Sequence, residues 1–272
     1  MDAEAIGILV DILRREAGIE VSAERVEFLR ARLARRLSAH GLSDLATYVS
    51  LVQRDRGERQ QLVEALTTHT TSFFREQVQY AWLAGPGLDH LLEDPTIGRS
   101  RPLVTWSAAA STGQEGYSAL ITIEEARQAG RPLGEQRLIG TDISAPVLAR
   151  AARAIYEEAE TQDLPDNLRQ RWFMTSRSGD GRLRVVPELR QLATWRRASL
   201  TDSGSLDGIE ADLVFLRNVL IYFSADTRRL VLRNILDRLR PGGILFTGHT
   251  ETGAARDDRL VAIAPSIYRK KA

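Results

Sequence analysis

The 272-residue chain contains no cysteine and only two methionines. Disulfides, thiolate metal sites and cysteine nucleophiles are therefore excluded, and no other residue set calls for a metal. Lysine is nearly absent as well, confined to Lys270 and Lys271, so almost all positive charge is arginine. Where arginines cluster they will favour planar, two-pronged pairing with carboxylates. An excess of one charge is also lacking: 37 basic residues face 36 acidic ones, for a net charge of +1. No global field draws the molecule onto nucleic acid or into a membrane, so any basic surface must be local. With nine prolines and 43% hydrophobic residues the composition is that of a globular protein and not of a disordered or fibrous chain. No apolar run approaches the roughly 20 residues of a membrane span, and residues 1–20 lack a signal-peptide core. A cytoplasmic protein is expected.

What is present falls into two styles. Over the first seventy-odd residues the apolar positions keep helical spacing: Ile6, Leu9, Val10 and Leu13, then Val26, Leu29, Leu33 and Leu37, then Leu45, Tyr48, Val49 and Val52. Three short helices are predicted, with Ser22 and Ser43 as capping candidates and Gly41 as a stop. Beyond Gly-Pro-Gly at 85–87 and a polar stretch to Arg101, strand-like runs alternate with helical ones. Leu103–Trp106, Arg137–Thr141, Leu213–Leu216 and Ile244–Thr247 read as strands of a mostly parallel sheet covered by helices. The division expected is a helical domain over 1–78, a linker over 79–100 and an α/β domain over 101–272. Ser-Gly-Asp-Gly at 178–181 suggests a small antiparallel hairpin inserted at about 170–196.

Several segments could carry chemistry. Ala108-Ala-Ala-Ser-Thr-Gly-Gln-Glu115 stands at a strand-to-helix turn, without the Gly-Lys-Ser/Thr of a phosphate loop or the glycine fingerprint of a dinucleotide fold. Its small residues still permit close approach of a ligand to the backbone. Asp142 follows Glu115 by 27 residues at the end of the next strand; it suits either the ribose of a nucleoside or the cap of the helix starting near Ser144. Leu66-Thr-Thr-His-Thr-Thr-Ser-Phe-Phe-Arg-Glu76 gathers five hydroxyls, a histidine and an arginine beside two aromatics. That cluster fits a ligand site at a domain junction, or a set of helix caps and core aromatics.

These segments, together with Gly140-Thr-Asp-Ile143, Arg217-Asn-Val-Leu-Ile-Tyr-Phe223 and Pro241-Gly-Gly-Ile-Leu-Phe-Thr-Gly-His-Thr-Glu251, resemble the chemotaxis receptor methyltransferases, the CheR family. The first of the α/β motifs extends back to Trp106. The similarity runs in the family's order along almost the whole chain, and Arg32-Leu-Ala-Arg-Arg-Leu37 with Gly41-Leu42 is similar to the family's N-terminal domain.

The resemblance implies a class I S-adenosylmethionine-dependent methyltransferase domain, Rossmann-like with a mostly parallel sheet, behind an all-helical N-terminal domain and with a small antiparallel β insertion. It implies methylation of glutamate side chains on the cytoplasmic helices of chemoreceptors, with S-adenosylhomocysteine as product. Carried over by position, the cofactor contacts are His69, Thr71, Arg75, Glu115, Asp142, Ser199, Leu200, Leu216 and Arg217, and Arg75 and Tyr222 position the reacting carboxylate. His69 and Ser199 stand where the family commonly has asparagine, and Gly116 where it has proline. The basic helix carrying Arg25, Arg32 and Arg36, spaced i, i+7, i+11, is assigned to receptor contact, and the β insertion to a receptor's C-terminal peptide in some members. A non-catalytic regulator that binds the cofactor or its product is the alternative of another class. A nicotinamide-dependent oxidoreductase is a third reading, set back by the missing glycine fingerprint.

Overall fold

The computed structural model describes residues 2–20, 26–67, 70–176, 178–253 and 255–271. They form two compact units: residues 1–68 with 221–229, and residues 69–220 with 230–272.

Among the described residues between 2 and 67 the first unit holds four helices where three are predicted: α1 (Asp2–Ala17), α2 (Val26–Ala39), α3 (Leu45–Arg54) and α4 (Arg56–Leu66). Their apolar stripes meet in a core of Leu9, Leu13, Leu33, Tyr48, Val52 and Leu62, all but removed from solvent. Asp55 makes the extra break. It ends α3 in an extended conformation and caps α4, accepting from the amides of Gly57 (2.7 Å) and Glu58 (3.1 Å). The cap of α3 is Asp44 and not Ser43: its carboxylate accepts from the Thr47 amide at 2.8 Å. Ser22 lies outside the described residues.

The second unit opens with α5 (Gln77–Trp82), a π turn (Leu83–Gly87) and α6 (Leu88–Leu91). The expected linker 79–100 is thus built into this unit, with Tyr80, Leu83, Leu88, Leu91 and Ile97 packed in its core. Then follow β1 (Leu103–Ser107), α7 (Gln114–Gln128), β2 (Gln136–Asp142), α8 (Ala145–Arg153), β3 (Ile155–Glu157), α9 (Asp166–Trp172), β4 (Phe173–Thr175), β5 (Arg182–Val185), α10 (Pro187–Arg190), β6 (Ala193–Arg197), β7 (Ala211–Leu216), α11 (Ala225–Leu236), β8 (Leu239–Thr247), β9 (Leu260–Ala264) and β10 (Ile267–Lys270).

Seven strands make the main sheet in the order β6-β2-β1-β7-β8-β10-β9. β6, β2, β1, β7 and β8 run parallel, and β10 is antiparallel to both its neighbours. β1 and β7 are buried at every position, as strands covered on both faces must be. One face carries a stacked aromatic column, Tyr80 on Phe215 and Phe215 on Phe246, with ring centroids 5.7 and 4.8 Å apart. The insertion is larger than the hairpin expected at 170–196. It is a three-stranded antiparallel sheet, β3-β5-β4, whose first strand starts at Ile155, while Trp195 at the far end belongs to the main sheet.

Candidate active site

Chain order reverses at β1, with β2 on one side and β7 on the other. Ligands of open α/β sheets bind outside the carboxyl ends of the strands at such a point. Five of the sequence-predicted residues, Asp142, Ser199, Leu200, Leu216 and Arg217, stand at these strand ends, with Ser107 beside them. Ser107 ends β1, Asp142 ends β2, Ser199 and Leu200 follow β6, and Leu216 and Arg217 close β7.

The loop from Ala108 to Gly113 is pinned on both sides. The Ala108 amide donates to the Phe215 carbonyl (2.9 Å) and the Ala110 amide to the Thr141 carbonyl (2.8 Å), so the turn leaves the sheet without losing its ladder. Ser111 takes a left-handed conformation (φ 49°), and its amide donates to Asp142 Oδ2 at 2.9 Å. Gly113 has φ 96°, and a Cβ there would stand 2.9 Å from the Ala151 side chain and 3.1 Å from the Tyr156 hydroxyl. At Gly140 a Cβ would be 2.2 Å from the Trp195 ring, so glycine is what lets that indole lie across β2. Trp195 and Tyr156, whose hydroxyl donates to the Thr112 carbonyl at 2.8 Å, are supports of the turn that sequence reading missed.

Asp142 does more than either reading of its position required. Its carboxylate accepts from the amides of Ser111 and Ser144 (3.0 Å), tying the β1 and β2 turns together, while Ser144 itself caps α8. A carboxylate accepts up to about four hydrogen bonds, so an oxygen holding an amide can accept a ribose hydroxyl as well. At the end of β6, the Ser199 amide donates to Ser205 Oγ (3.0 Å) and its hydroxyl lies 2.9 Å from that of Thr201. Leu200 is buried, its carbonyl held by the Asn234 amide group at 2.9 Å. After β7, Asn218 is left-handed (φ 56°) and Glu251 Oε2 accepts from its amide (2.7 Å) and that of Gly248 (2.9 Å).

Next to this rim lies a buried charge cluster. The Arg217 side chain is 1% exposed; its Nη1 donates to the Tyr80 hydroxyl (3.1 Å) and lies 3.5 Å from Glu115 Oε2, and its Nη2 donates to the Arg75 carbonyl and pairs with Glu76 at 3.1 Å. Ser107 Oγ donates to the other Glu115 oxygen at 2.7 Å. Burial pushes the Glu115 carboxyl above its ordinary value, against the pull of Arg217 and the Ser107 hydroxyl. For Arg217, burial opposes the charge, but Tyr80, Glu115 and Glu76 outweigh it and the guanidinium is held more firmly protonated than usual. Both terminal nitrogens of Arg217 therefore meet protein groups. Glu76, Tyr80 and Ser118, whose Oγ accepts from the Phe74 amide at 2.9 Å, were not singled out by sequence, although Glu76 ends one of the motifs.

Arg75 is half-buried, with Nη1 donating to the Thr70 carbonyl at 3.2 Å, and Thr71 is half-buried beside it in sequence. His69 lies outside the described residues. Tyr222 closes a short 3-10 turn, Leu220–Tyr222, within the segment that clusters with the helical unit, and its carbonyl accepts from the Glu20 amide at 2.8 Å.

Two residues of the expected receptor-binding stripe are half-buried and paired with neighbouring groups. Arg25 lies outside the described residues. Arg32 Nη1 donates to the carbonyls of Ala65 and Thr67, both at 2.7 Å, where it satisfies the end of α4. Arg36 forks onto Glu58, with Nε to Oε1 at 3.0 Å and Nη2 to Oε2 at 2.5 Å. Both guanidinia are half-buried and pair with groups of the helical unit.

Comparison with known proteins bears directly on this geometry. Residues 4–67 match the model of the CheR methyltransferase all-alpha domain, and residues 69–266 that of the CheR methyltransferase SAM-binding domain. The chain belongs to the CheR methyltransferase family. It is 35% identical to chemotaxis protein methyltransferase 2 of Pseudomonas aeruginosa over 94% of this chain and 89% of that one. It is 32% identical to the chemotaxis protein methyltransferase of Escherichia coli, over 94% and 87%. With chemotaxis protein methyltransferase 1 of Vibrio cholerae the identity is 35% over 95% and 93%. The chain is an S-adenosylmethionine-dependent methyltransferase of the Rossmann-like class, and the methyl donor is S-adenosylmethionine.

The residues present fit that donor. Asp142 would offer acceptors to ribose hydroxyls, the turn after β1 is built of small residues that would let a nucleoside approach the backbone, and Arg75 would offer a cation to the donor's carboxylate.

Proposed function

We propose that this CheR-family enzyme acts in the cytoplasm on the helices of chemoreceptors, forming glutamyl methyl esters for sensory adaptation. The observation that supports the reading most directly is the convergence of Asp142, Ser199, Leu200, Leu216 and Arg217 at adjacent strand ends, with Arg75 bonded through its carbonyl into the same cluster. An unperturbed glutamate has a pKa of about 4.3 and is already ionised at neutral pH, so no general base is needed. The bound sulfonium supplies an activated methyl group: the carboxylate oxygen forms the new O–CH3 bond as the S–CH3 bond breaks, and the electron pair leaves on sulfur. The protein's contribution is alignment and exclusion of water.

Arg75 orients the acceptor carboxylate and Tyr222 donates a hydrogen bond to it, with Asp142, Thr71, Ser199 and Leu200 holding the donor. Attraction alone would slow the step, because the carboxylate's charge is neutralised in the transition state and tight ground-state binding raises the barrier. Geometry is what these residues provide. β3 and β4 are the two edges of the small sheet, with Met174 exposed on β4, and a receptor's C-terminal peptide adds as a strand to such an edge.

The test is transfer of label from radiolabelled S-adenosylmethionine to membranes bearing candidate chemoreceptors, with alkaline release of methanol as the ester signature. Alkali-labile label that is lost in Arg75→Ala and Tyr222→Phe variants is the expected result. Label stable to alkali would place the methyl group on another acceptor.

A further inference from the structure

Arg75 stands between two strained residues. Phe74 (φ 50°) and Glu76 (φ 62°) are both left-handed and neither is glycine. Such conformations persist where the surroundings over-determine them, and they concentrate at functional sites. Here the surroundings can be named. The Phe74 amide donates to Ser118 Oγ (2.9 Å), and the Glu76 carbonyl accepts from the Gln79 amide (2.9 Å). Glu76 Oε1 accepts from the His249 amide (3.4 Å) while its Oε2 lies 3.1 Å from Arg217 Nη2, and that same Nη2 donates to the Arg75 carbonyl. A single guanidinium therefore holds the middle and the end of the turn at once.

The guanidinium is itself well anchored. It rises from the end of β7, a strand buried at every position, and its other arm reaches Tyr80 and Glu115. With 1% of its side chain exposed, it is enclosed by protein groups on α5, α7 and the turn. Lysine cannot replace it, because a compact ammonium lacks the planar fork that reaches both sides.

We infer that Arg217 is a positioning residue for methyl transfer: it clamps the left-handed turn Phe74–Glu76 and so sets the direction of the Arg75 side chain. This rests on the proposed role of Arg75.

The experiment is a double-mutant cycle with Arg217→Lys and Arg75→Ala, read as turnover on receptor membranes, KM for S-adenosylmethionine and melting temperature. Arg217→Lys alone should lower kcat about 30-fold with KM changed less than about threefold, and in the Arg75→Ala background it should lower kcat by less than about threefold, because residues acting as a unit are non-additive. Equal losses in both backgrounds would overturn the clamp while leaving Arg75 in place. Wild-type turnover in Arg75→Ala would overturn the role of Arg75, and the clamp with it. If Arg217→Lys does not fold, Glu76→Gln removes the charge from the other side of the contact, and the same cycle is run with it.

Discussion

Two buried arginine–glutamate clusters, one in each unit, use the same residue types and come out differently. In the helical unit Glu58, 5% exposed, accepts from Arg36 through both arms of the fork, from the Tyr48 hydroxyl (2.6 Å) and from His40 Nε2 (2.8 Å). Burial raises its pKa, but the bonds from Arg36, Tyr48 and His40 outweigh this and hold the carboxyl below its ordinary value. In the α/β unit Glu76 and Glu115 share one guanidinium. Arg217 Nε is buried without a hydrogen-bond partner among the described residues, Glu76 Oε2 has the 3.1 Å ion pair to Arg217 Nη2 but no hydrogen bond of good geometry, and Glu115 is pushed up in pKa. A satisfied cluster fixes a fold; an incompletely satisfied one, placed beside strained backbone at the strand ends, marks the site.

The comparison breaks most visibly through function. Arg75→Ala should lower turnover by about 10²-fold, the effect of losing alignment of the reacting groups by about an ångström, with S-adenosylhomocysteine affinity falling less than about tenfold by calorimetry. Its melting temperature should stay close to wild type, since the side chain is half-buried with one carbonyl partner. Glu58→Gln should behave in the opposite way. Removing one partner of a buried ion pair costs about 3 kcal/mol, so its urea midpoint should drop while turnover at low temperature stays within about twofold. Turnover lost in proportion to stability in both variants would mean that the two clusters do not differ in kind.

A smaller effect separates the two duties of the β2 terminus. Asp142→Ala removes the acceptor for the Ser111 and Ser144 amides together with the candidate ribose acceptor. Affinity for S-adenosylhomocysteine should fall about 10- to 100-fold, corresponding to one or two hydrogen bonds to a charged group. Asp142→Asn retains an acceptor and should recover part of it. Unchanged affinity in Asp142→Ala would take this carboxylate out of the site.

Much of this site could be read from the sequence because it lies in contiguous segments. The 106–115 turn, Asp142 and the 217–223 and 241–251 motifs each sit at the end of a strand whose apolar run is easy to see. What could not be read was mostly long-range. The spacing of Arg32 and Arg36 places them on one face of α2, but says nothing of Glu58 waiting on α4, 22 residues on from Arg36. The fourth helix stayed hidden because Asp55 ends one helix and starts the next within a single residue. Gly-Pro-Gly at 85–87 signals a loop, yet it forms part of a π turn that leads straight into α6. β3 and β4 have three residues each, too few to display a period of two.

The smallest predicted effect is also the most specific to the contrast, because it has opposite signs in the two clusters. Glu58 has a depressed pKa in the folded protein. Its contribution is present above the unfolded value of about 4.3 and is lost as pH falls through the lower folded value. Glu115 has a raised pKa, so the folded state holds its proton more tightly than the unfolded one. Stability from this group therefore falls as pH rises from about 4.3 through the raised value. Urea midpoints of wild type, Glu58→Gln and Glu115→Gln from about pH 2.5 to 7.5 should show this as slopes of at most about 1.4 kcal/mol per pH unit per group, the Glu58 slope below about pH 4.3 and the Glu115 slope above it. Relative to wild type, Glu115→Gln should gain stability with rising pH and Glu58→Gln should lose it. Slopes of the same sign would mean that Arg217 satisfies Glu115 as fully as Arg36 satisfies Glu58, and the distinction between a structural pair and a working one would have to be sought elsewhere.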